Sequence, residues 1–287
     1  MAGSLHFEVP TALQYFAALV ADDASFSVLE AAAAVAQDDD PGLDTLAVLA
    51  QVDTLADRLR RRLPADAAPV QRLRLMNRYF FEELGFAGNV NDYYDRRNSY
   101  LPEVLRSRRG IPITLALLYV EIAGQVGLSA CGVSFPGHFL VKLRMPRGEV
   151  VLDPFSGHSL SRDDLDERLL PYREQQGLVG DFEAPLGLFL QPATPRDIIA
   201  RLLRNLKAVH RSAADNARLL AVLERLVILL PQAWEERRDR GLALAALGRH
   251  GAAAEDLAAY LAQRPDAADA PALQRQLATL NQRPRLH

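Results

Sequence analysis

The chain has 287 residues, of which 49% are hydrophobic, a formal net charge of −3 and one cysteine. This composition excludes wholesale disorder, and the nearly balanced charge gives no general attraction to nucleic acid or to an anionic membrane. A lone cysteine excludes both an intrachain disulfide and a cysteine-based zinc cage, which agrees with a reducing compartment.

No targeting, membrane or cofactor motif is evident in the sequence. Residues 1–8 lack a basic stretch followed by an apolar run, so no signal peptide is predicted. The apolar stretches, such as residues 31–36, are too short to span a bilayer. GxxxxGK[ST], GxGxxG and HExxH are all missing. We therefore expect a cytoplasmic protein with no cofactor, no metal site and no membrane partner.

The first ninety residues predict a layer of helices. Apolar residues recur at helical spacing over residues 11–20, 26–37, 43–63 and 70–84. A basic run, Arg58-Leu-Arg-Arg-Arg62, closes the third of these segments. It could contact nucleic acid, but we interpret it as a solvated last turn that suits the helix dipole. No nucleic-acid partner is predicted.

A polar and aromatic segment follows this helical layer. It contains Tyr93, Tyr94, Asp95, Arg96, Asn98 and Tyr100. Loops of this composition often line pockets, but Asp95 and Asn98 could instead satisfy backbone groups in an ordered turn. The next arginines could bind a carboxylate or phosphate, or could pair with Glu103 and Asp95. They are Arg106, Arg108 and Arg109.

The pattern then changes from helix to strand. The sequence predicts a helix over residues 114–126, closed by Gly127, and then apolar strands over residues 130–135, 138–143 and 149–153. The short loop at residues 145–149 indicates a hairpin. Ser161 to Asp164 resembles a capping box and predicts a short helix to Leu170.

The C-terminal third is predicted to be helical and repetitive. Pro231 and Pro265 are 34 residues apart, which is the tetratricopeptide (TPR) period. In the unit between them, small or apolar residues occupy positions where two TPR helices pack closely: Gly241, Gly248, Ala253 and Leu257. The preceding unit, residues 200–233, is degenerate, because Lys207 stands where Gly241 does. A last helix over residues 271–280 would cap the stack.

The central order of helix, strand, strand with His138 and strand with Asp153 resembles the transglutaminase-like fold, a relative of papain-type proteases. The resemblance implies a cysteine nucleophile at the helix N-terminus, a histidine base and an aspartate that orients it. Together with the short loop at residues 145–149, it implies that His138 and Asp153 lie on adjacent antiparallel strands, with the imidazole close to the carboxylate. Here Pro112 occupies the nucleophile position. Thr114 carries the only hydroxyl group nearby and lacks the free N-terminal amine that activates catalytic threonines.

The chain as a whole resembles the SirB-type bacterial proteins, which combine a transglutaminase-like core with a TPR tail. The segments that carry the resemblance are residues 91–101, 109–119, 135–141, 152–157 and 237–243. In this family the sequence Gly-Ile-Pro-Ile, residues 110–113 here, typically replaces the nucleophile. The resemblance thus implies the fold but says little about the activity.

We therefore predict an α+β protein with a papain/transglutaminase-like core and a two-unit TPR-like helical region. The expected domains are an N-terminal helical layer at 1–90, a core at 91–192 that packs with it as one domain, and a TPR-like region at 193–287. The expected function is non-catalytic binding of a peptide or partner protein in a degenerate cleft.

The residues expected to bind the ligand are Tyr94, Asn98, Arg109 and His138, with His138 and Asp153 as the relic of a catalytic pair. Two alternatives remain open. One is a hydrolase or acyl-transferase that uses Thr114 or a water activated by His138, and the other is a scaffold with a closed cleft. Cys131 lies in an apolar strand, so we expect an inert buried thiol.

Overall fold

The computed structural model describes residues 10–23, 26–178, 180 and 184–282. Among these residues, no helix is both long and apolar enough to cross a membrane. The helices are α1 (Ala12–Leu19), α2 (Val28–Ala34), α3 (Thr45–Arg60), α4 (Pro69–Asn77), α5 (Leu101–Ser107), α6 (Pro112–Gln125), α7 (Arg162–Gln176), α8 (Leu186–Phe189), α9 (Pro195–Ser212), α10 (Asn216–Leu229), α11 (Trp234–Ala246), α12 (His250–Gln263) and α13 (Ala270–Gln282).

The chain forms two compact units. One unit holds the described residues from Phe26 to Leu202, and the other combines those before residue 26 with those from Leu203 onwards. Helix α1 belongs to the second unit, where it packs against α10. In this packing the buried Phe16 side chain of α1 lies beside the Arg225 guanidinium of α10, with 5.4 Å between the ring centroid and Cζ. The helices expected as one layer at residues 1–90 are therefore divided between the two units.

The first unit is built around a mixed set of strands. These are β1 (Ala87–Gly88), β2 (Arg109–Gly110), β3 (Ser129–Val133), β4 (Leu140–Met145), β5 (Gly148–Leu152) and β6 (Ser159–Leu160). β1 and β2 pair in parallel, and β3, β4, β5 and β6 form an antiparallel sheet in that order. Met145 pairs with Gly148 across a two-residue turn, which confirms the hairpin predicted from the sequence.

Helix α6 is the centre of this unit. Apolar residues cover almost its whole surface, and its first eight residues, from Pro112 to Tyr119, are buried. A helix that is apolar all round must be enclosed by other elements, and α6 contacts α2, α3 and α5 as well as β3 and β4. Its buried Tyr119 hydroxyl donates a hydrogen bond to Asn77 Oδ1 of α4 at 2.5 Å. α6 is therefore a rigid support for its own N-terminus, where the fold would carry a nucleophile.

The second unit contains the predicted helical pairs. α11 and α12 pack closely because Gly241 lacks a side chain; a Cβ atom built there would lie 3.0 Å from Leu257 Cδ2. Gly248 has a different role, since it adopts a left-handed φ of +76° in the turn between them. Lys207, in place of a small residue, extends to Glu236 and Asp239 and forms ion pairs with both. In the first unit, the helix predicted over 161–170 extends further, to Gln176, and Ser161 caps it as expected.

Candidate functional site

His138 and Asp153 flank the β4–β5 hairpin, one just before β4 and the other just after β5. Antiparallel pairing places Val141 opposite Leu152, so the two ends of the hairpin lie side by side. His138 Nε2 is 2.8 Å from Asp153 Oδ1, within hydrogen-bonding distance. The expected contact between imidazole and carboxylate is confirmed.

Asp153 is held by several donors. Its Oδ1 also accepts a hydrogen bond from the Phe155 backbone N–H at 2.9 Å, and its Oδ2 accepts one from Arg168 Nη1 at 3.1 Å. The carboxylate is only 6% exposed. Burial alone would raise the pKa of Asp153, but the hydrogen bonds from His138, the Phe155 N–H and Arg168 outweigh burial and hold this pKa well below its ordinary value. Asp153 is therefore ionised at neutral pH.

The ionised carboxylate determines the state of the imidazole. A carboxylate has no proton to donate, so Nε2 of His138 must carry the proton in their shared hydrogen bond. In a neutral ring, Nδ1 is then left with a free lone pair. No described residue forms a hydrogen bond with Nδ1, and the His138 side chain is 24% exposed. This nitrogen is available to accept a proton or a hydrogen bond from a bound molecule.

Aromatic rings lie beside the imidazole. The Phe155 ring meets the His138 ring edge to face, with centroids 6.5 Å apart, and lies 5.9 Å from the Tyr93 ring. Tyr93 in turn meets Tyr94 at 5.3 Å. Tyr94 is 75% exposed, so this row of rings runs from the histidine to the surface. Aromatic side chains with one polar end are common in binding surfaces.

Gly88 allows the Phe155 ring to approach the backbone. A Cβ atom at Gly88 would lie 2.3 Å from two ring carbons of Phe155, a distance that no side chain tolerates. The Gly88 N–H also donates to the Phe155 carbonyl at 2.9 Å. The close contact holds the ring in place beside His138.

Asn98 organises the loop that carries the tyrosines. Its side chain is 3% exposed; its Nδ2 donates to the Asp92 and Tyr93 carbonyls, and its Oδ1 accepts from Asn89 Nδ2. Asp95 similarly caps the turn by accepting from the Arg97 N–H at 2.9 Å. Both residues satisfy backbone groups, which was the alternative to direct ligand contact. The Asn98 amide is already occupied by the protein itself.

The N-terminus of α6 carries no nucleophile. Pro112 is buried at the first helical position, where its missing N–H costs nothing. Thr114 is fully buried; its hydroxyl lies 2.8 Å from the Asn98 carbonyl and 3.0 Å from the Ile111 carbonyl, and accepts from the Ile111 N–H. The hydroxyl therefore caps the helix and ties it to the tyrosine loop.

A family model described as the transglutaminase-like superfamily matches residues 46–204. The chain belongs to the transglutaminase-like superfamily. A TPR family model matches residues 206–278, so the fold expected from the sequence is confirmed in both parts. No solved structure gives a significant match to this chain.

Similar bacterial proteins bear the name UPF0162, and they confirm the SirB-type resemblance. The UPF0162 protein of Xylella fastidiosa strain 9a5c is 38% identical over 245 residues, which cover 85% of this chain and 86% of that protein. The UPF0162 protein YchA of Escherichia coli K12 is 28% identical over 79% of this chain and 82% of its own. The human F-box only protein 21 is 42% identical over 85 residues, 30% of this chain and 14% of that protein.

The other predicted site residues lie in different surroundings. Arg109 is exposed, and its Nη1 donates to the Gly85 carbonyl at 2.7 Å, so its guanidinium supports a turn. Arg106 pairs with Glu103.

Cys131 is half-buried opposite Lys142; burial raises the pKa of its thiol, and the Lys142 charge opposes this only in part. The described residues contain no His, Cys, Asp or Glu cluster that could hold a metal ion.

Three residues in this part of the structure, two of them in contact with the pair, were missed in the sequence. Arg168 follows Asp153 by fifteen positions on α7, and Phe155 belongs to the loop after Asp153. Arg201 lies on α9; its Nη1 donates to Ser134 Oγ at 2.8 Å and to the Phe135 carbonyl at 3.0 Å. No local motif marks any of them. Only the order of elements in the transglutaminase-like fold, which places an acidic residue at Asp153, marks this part of the chain.

Proposed function

We propose that this member of the transglutaminase-like superfamily is a non-catalytic binding protein that holds a peptide or a segment of a partner protein beside His138. The observation that carries the proposal is the combination of an intact His138–Asp153 pair and a helix N-terminus without a nucleophile. A hydrogen-bonding nitrogen and exposed aromatic rings suit recognition of an extended peptide.

The chemistry of the pair supports binding in a specific way. Nδ1 of His138 can accept a hydrogen bond from a backbone N–H of a peptide, while Phe155 and Tyr93 offer apolar surfaces for its side chains. A pair that only stabilises the sheet would not need a partly exposed imidazole, and the His138 side chain is 24% exposed. TPR repeats are a common scaffold for protein contacts, so the second unit provides a separate surface in the same chain.

One observation favours hydrolysis as a second candidate. Nε2–H donates to an ionised carboxylate, and this is the tautomer that leaves Nδ1 able to take a proton from a water molecule. Thr114 is a poor nucleophile, because its hydroxyl is occupied by the Asn98 carbonyl and by the Ile111 N–H. Water is therefore the only nucleophile that we retain for this alternative.

The two functions are tested together by affinity capture from bacterial cytosol on immobilised protein, followed by mass spectrometry of captured and released peptides. The test variant is Tyr94→Ala combined with His138→Ala. Tyr172→Ala, at another exposed tyrosine, is the matched control. Binding predicts partners that the double variant loses and the control keeps. Hydrolysis predicts shortened peptides that accumulate with the wild type and disappear with His138→Ala alone. Equal capture by all variants would contradict the proposal.

A further inference from the structure

A small pocket of about 190 Å³ lies on the surface formed by α3 and α5. Its lining residues are Gln51, Thr54, Leu55, Arg58, Leu105 and Arg108. None of them belongs to the His138 site, and the proposed function does not use them. The volume is below the range of about 300–1,000 Å³ that is typical for drug-sized ligands. A ligand that fills this pocket is therefore a small molecule.

Arg108 carries a buried donor without an acceptor. Its Nη1 atom is shielded from solvent and forms no hydrogen bond in the part of the chain that the structure describes. The guanidinium lies over the Phe86 ring, 4.7 Å from its centroid. Burial lowers the pKa of Arg108, and the charge of Arg58 also lowers it, but an arginine stays protonated at neutral pH. A buried charged donor of this kind is costly unless an acceptor reaches it.

Arg58 is the second arginine of the pocket, and unlike the Arg108 Nη1 atom it is exposed to solvent. Among the described residues, neither the Arg58 nor the Arg108 guanidinium has a hydrogen-bond acceptor or a carboxylate partner. Their neighbours differ. On α3, Arg60 pairs with Asp57, and on α5, Arg106 pairs with Glu103. The two arginines that line the pocket thus lack the carboxylate partners that Arg60 and Arg106 have.

The backbone conformation of Arg108 is also unusual. Arg108 ends α5 with φ +60° and ψ 20°, a left-handed conformation that glycine usually supplies at this position. An L-residue there is unfavourable, and such residues are enriched at functional sites. A glycine would fit the turn better, so Arg108→Gly removes the guanidinium without straining the backbone.

We propose that this pocket binds a small molecule that bears a phosphate group, with Arg58 and Arg108 holding its oxygens. Two unpaired guanidinium groups match the charge of a phosphomonoester, which carries about −1.5 to −2 at neutral pH. The planar donor fork of arginine suits phosphate oxygens. Leu55 and Leu105 provide apolar contact for the carbon skeleton of such a molecule.

The test is a titration of the full-length protein with inorganic phosphate, glycerol phosphate, acetate and a phosphoserine peptide at constant ionic strength. Binding is followed by NMR signals of the arginine side chains and by calorimetry. The variants are Arg108→Gly and Arg58→Ala. Arg61→Ala, an exposed arginine at the end of the same helix, is the matched control. Thermal unfolding is measured for every variant, and Arg108→Gly is expected to keep the wild-type Tm or raise it, because glycine accepts the left-handed backbone.

We expect saturable binding of phosphate and glycerol phosphate to the wild type, weakened roughly tenfold or more by Arg108→Gly and by Arg58→Ala, because each removes charge-assisted hydrogen bonds. Arg61→Ala should bind like the wild type. No saturable binding to the wild type, or equal binding by a folded Arg108→Gly protein, would overturn the site. Acetate binding as tight as phosphate would overturn the phosphate assignment, and a clear preference for the phosphoserine peptide would overturn the small-molecule assignment.

Discussion

Asp153 Oδ1 accepts a hydrogen bond from His138 Nε2–H while the carboxylate is almost completely buried, and Asp153 stays ionised there. The pair thus has the arrangement of a histidine oriented by a carboxylate, with Nδ1 as the nitrogen that is left free. The partner that such a pair would activate is missing, because Pro112 begins α6. The site therefore combines an intact base with no protein nucleophile, and the predictions below test each half.

The first prediction concerns the charge of Asp153. Asp153→Asn should lower the free energy of unfolding at pH 7 by about 2 kcal/mol, since it weakens hydrogen bonds to a charged group. Because the folded-state pKa of Asp153 is lowered, its stabilisation is present above the unfolded pKa of about 3.9 and is lost as pH falls below it. The difference between wild type and Asp153→Asn in urea unfolding should be present at pH 5 and shrink below pH 4. A difference that stays constant down to pH 2.5 would contradict the assignment.

The second prediction concerns the contact between Gly88 and Phe155. Gly88→Ala should lower the free energy of unfolding by about 1–3 kcal/mol, because the new methyl group overlaps the Phe155 ring. Gly124→Ala is the matched control, since nothing lies within 4 Å of a Cβ atom in that helical position. It should stabilise the protein by about 0.5–1 kcal/mol through helix propensity. Chemical unfolding measures the free energy of unfolding of both variants. If Gly88→Ala does not lower this free energy, crowding against Phe155 is unimportant.

The third prediction concerns Cys131. Its alkylation by iodoacetamide at pH 8 should be slow in the native protein, because burial raises the pKa of the thiol and restricts access to it. In denaturant the same thiol should react at the rate of a free cysteine, which serves as the internal control. Native labelling at the denatured rate would indicate a reactive cysteine and would strengthen the case for an enzyme.

The fourth prediction restores the missing nucleophile. Pro112→Cys should cost at most about 1 kcal/mol of stability, since the first helical turn accepts many residues. We expect the pKa of the new thiol to fall below the ordinary value of about 8.5, because a helix N-terminus and a histidine base both favour thiolate. The pH profile of its alkylation rate measures this. Pro112→Cys combined with His138→Ala is the control; identical profiles in the two variants would mean that His138 no longer serves the N-terminus of α6.

Local patterns were enough to predict the antiparallel hairpin, whereas the contact between His138 and Asp153 was predicted from the family resemblance. The alternation of apolar residues and the short loop after Met145 determine the strand register, and register brings His138 to Asp153. The capping box at Ser161 is likewise a local effect, since all its hydrogen bonds lie within four residues. The start of α6 at Pro112 is also predictable from the sequence, because proline favours the first helical turn.

The sequence left open whether Asn98 contacts a ligand or its own backbone, because that depends on how residues 89–93 fold around it. Arg168 could not be assigned to Asp153 for a similar reason: fifteen residues and a change from loop to helix separate them, and only packing of α7 brings the guanidinium to the carboxylate. Helix α1 is a third example, since an amphipathic pattern predicts a helix but not the surface on which it packs, and only tertiary contacts place it on α10. Residue spacing along one element thus determined local geometry, whereas contacts between elements distant in the chain decided which side chains surround the site.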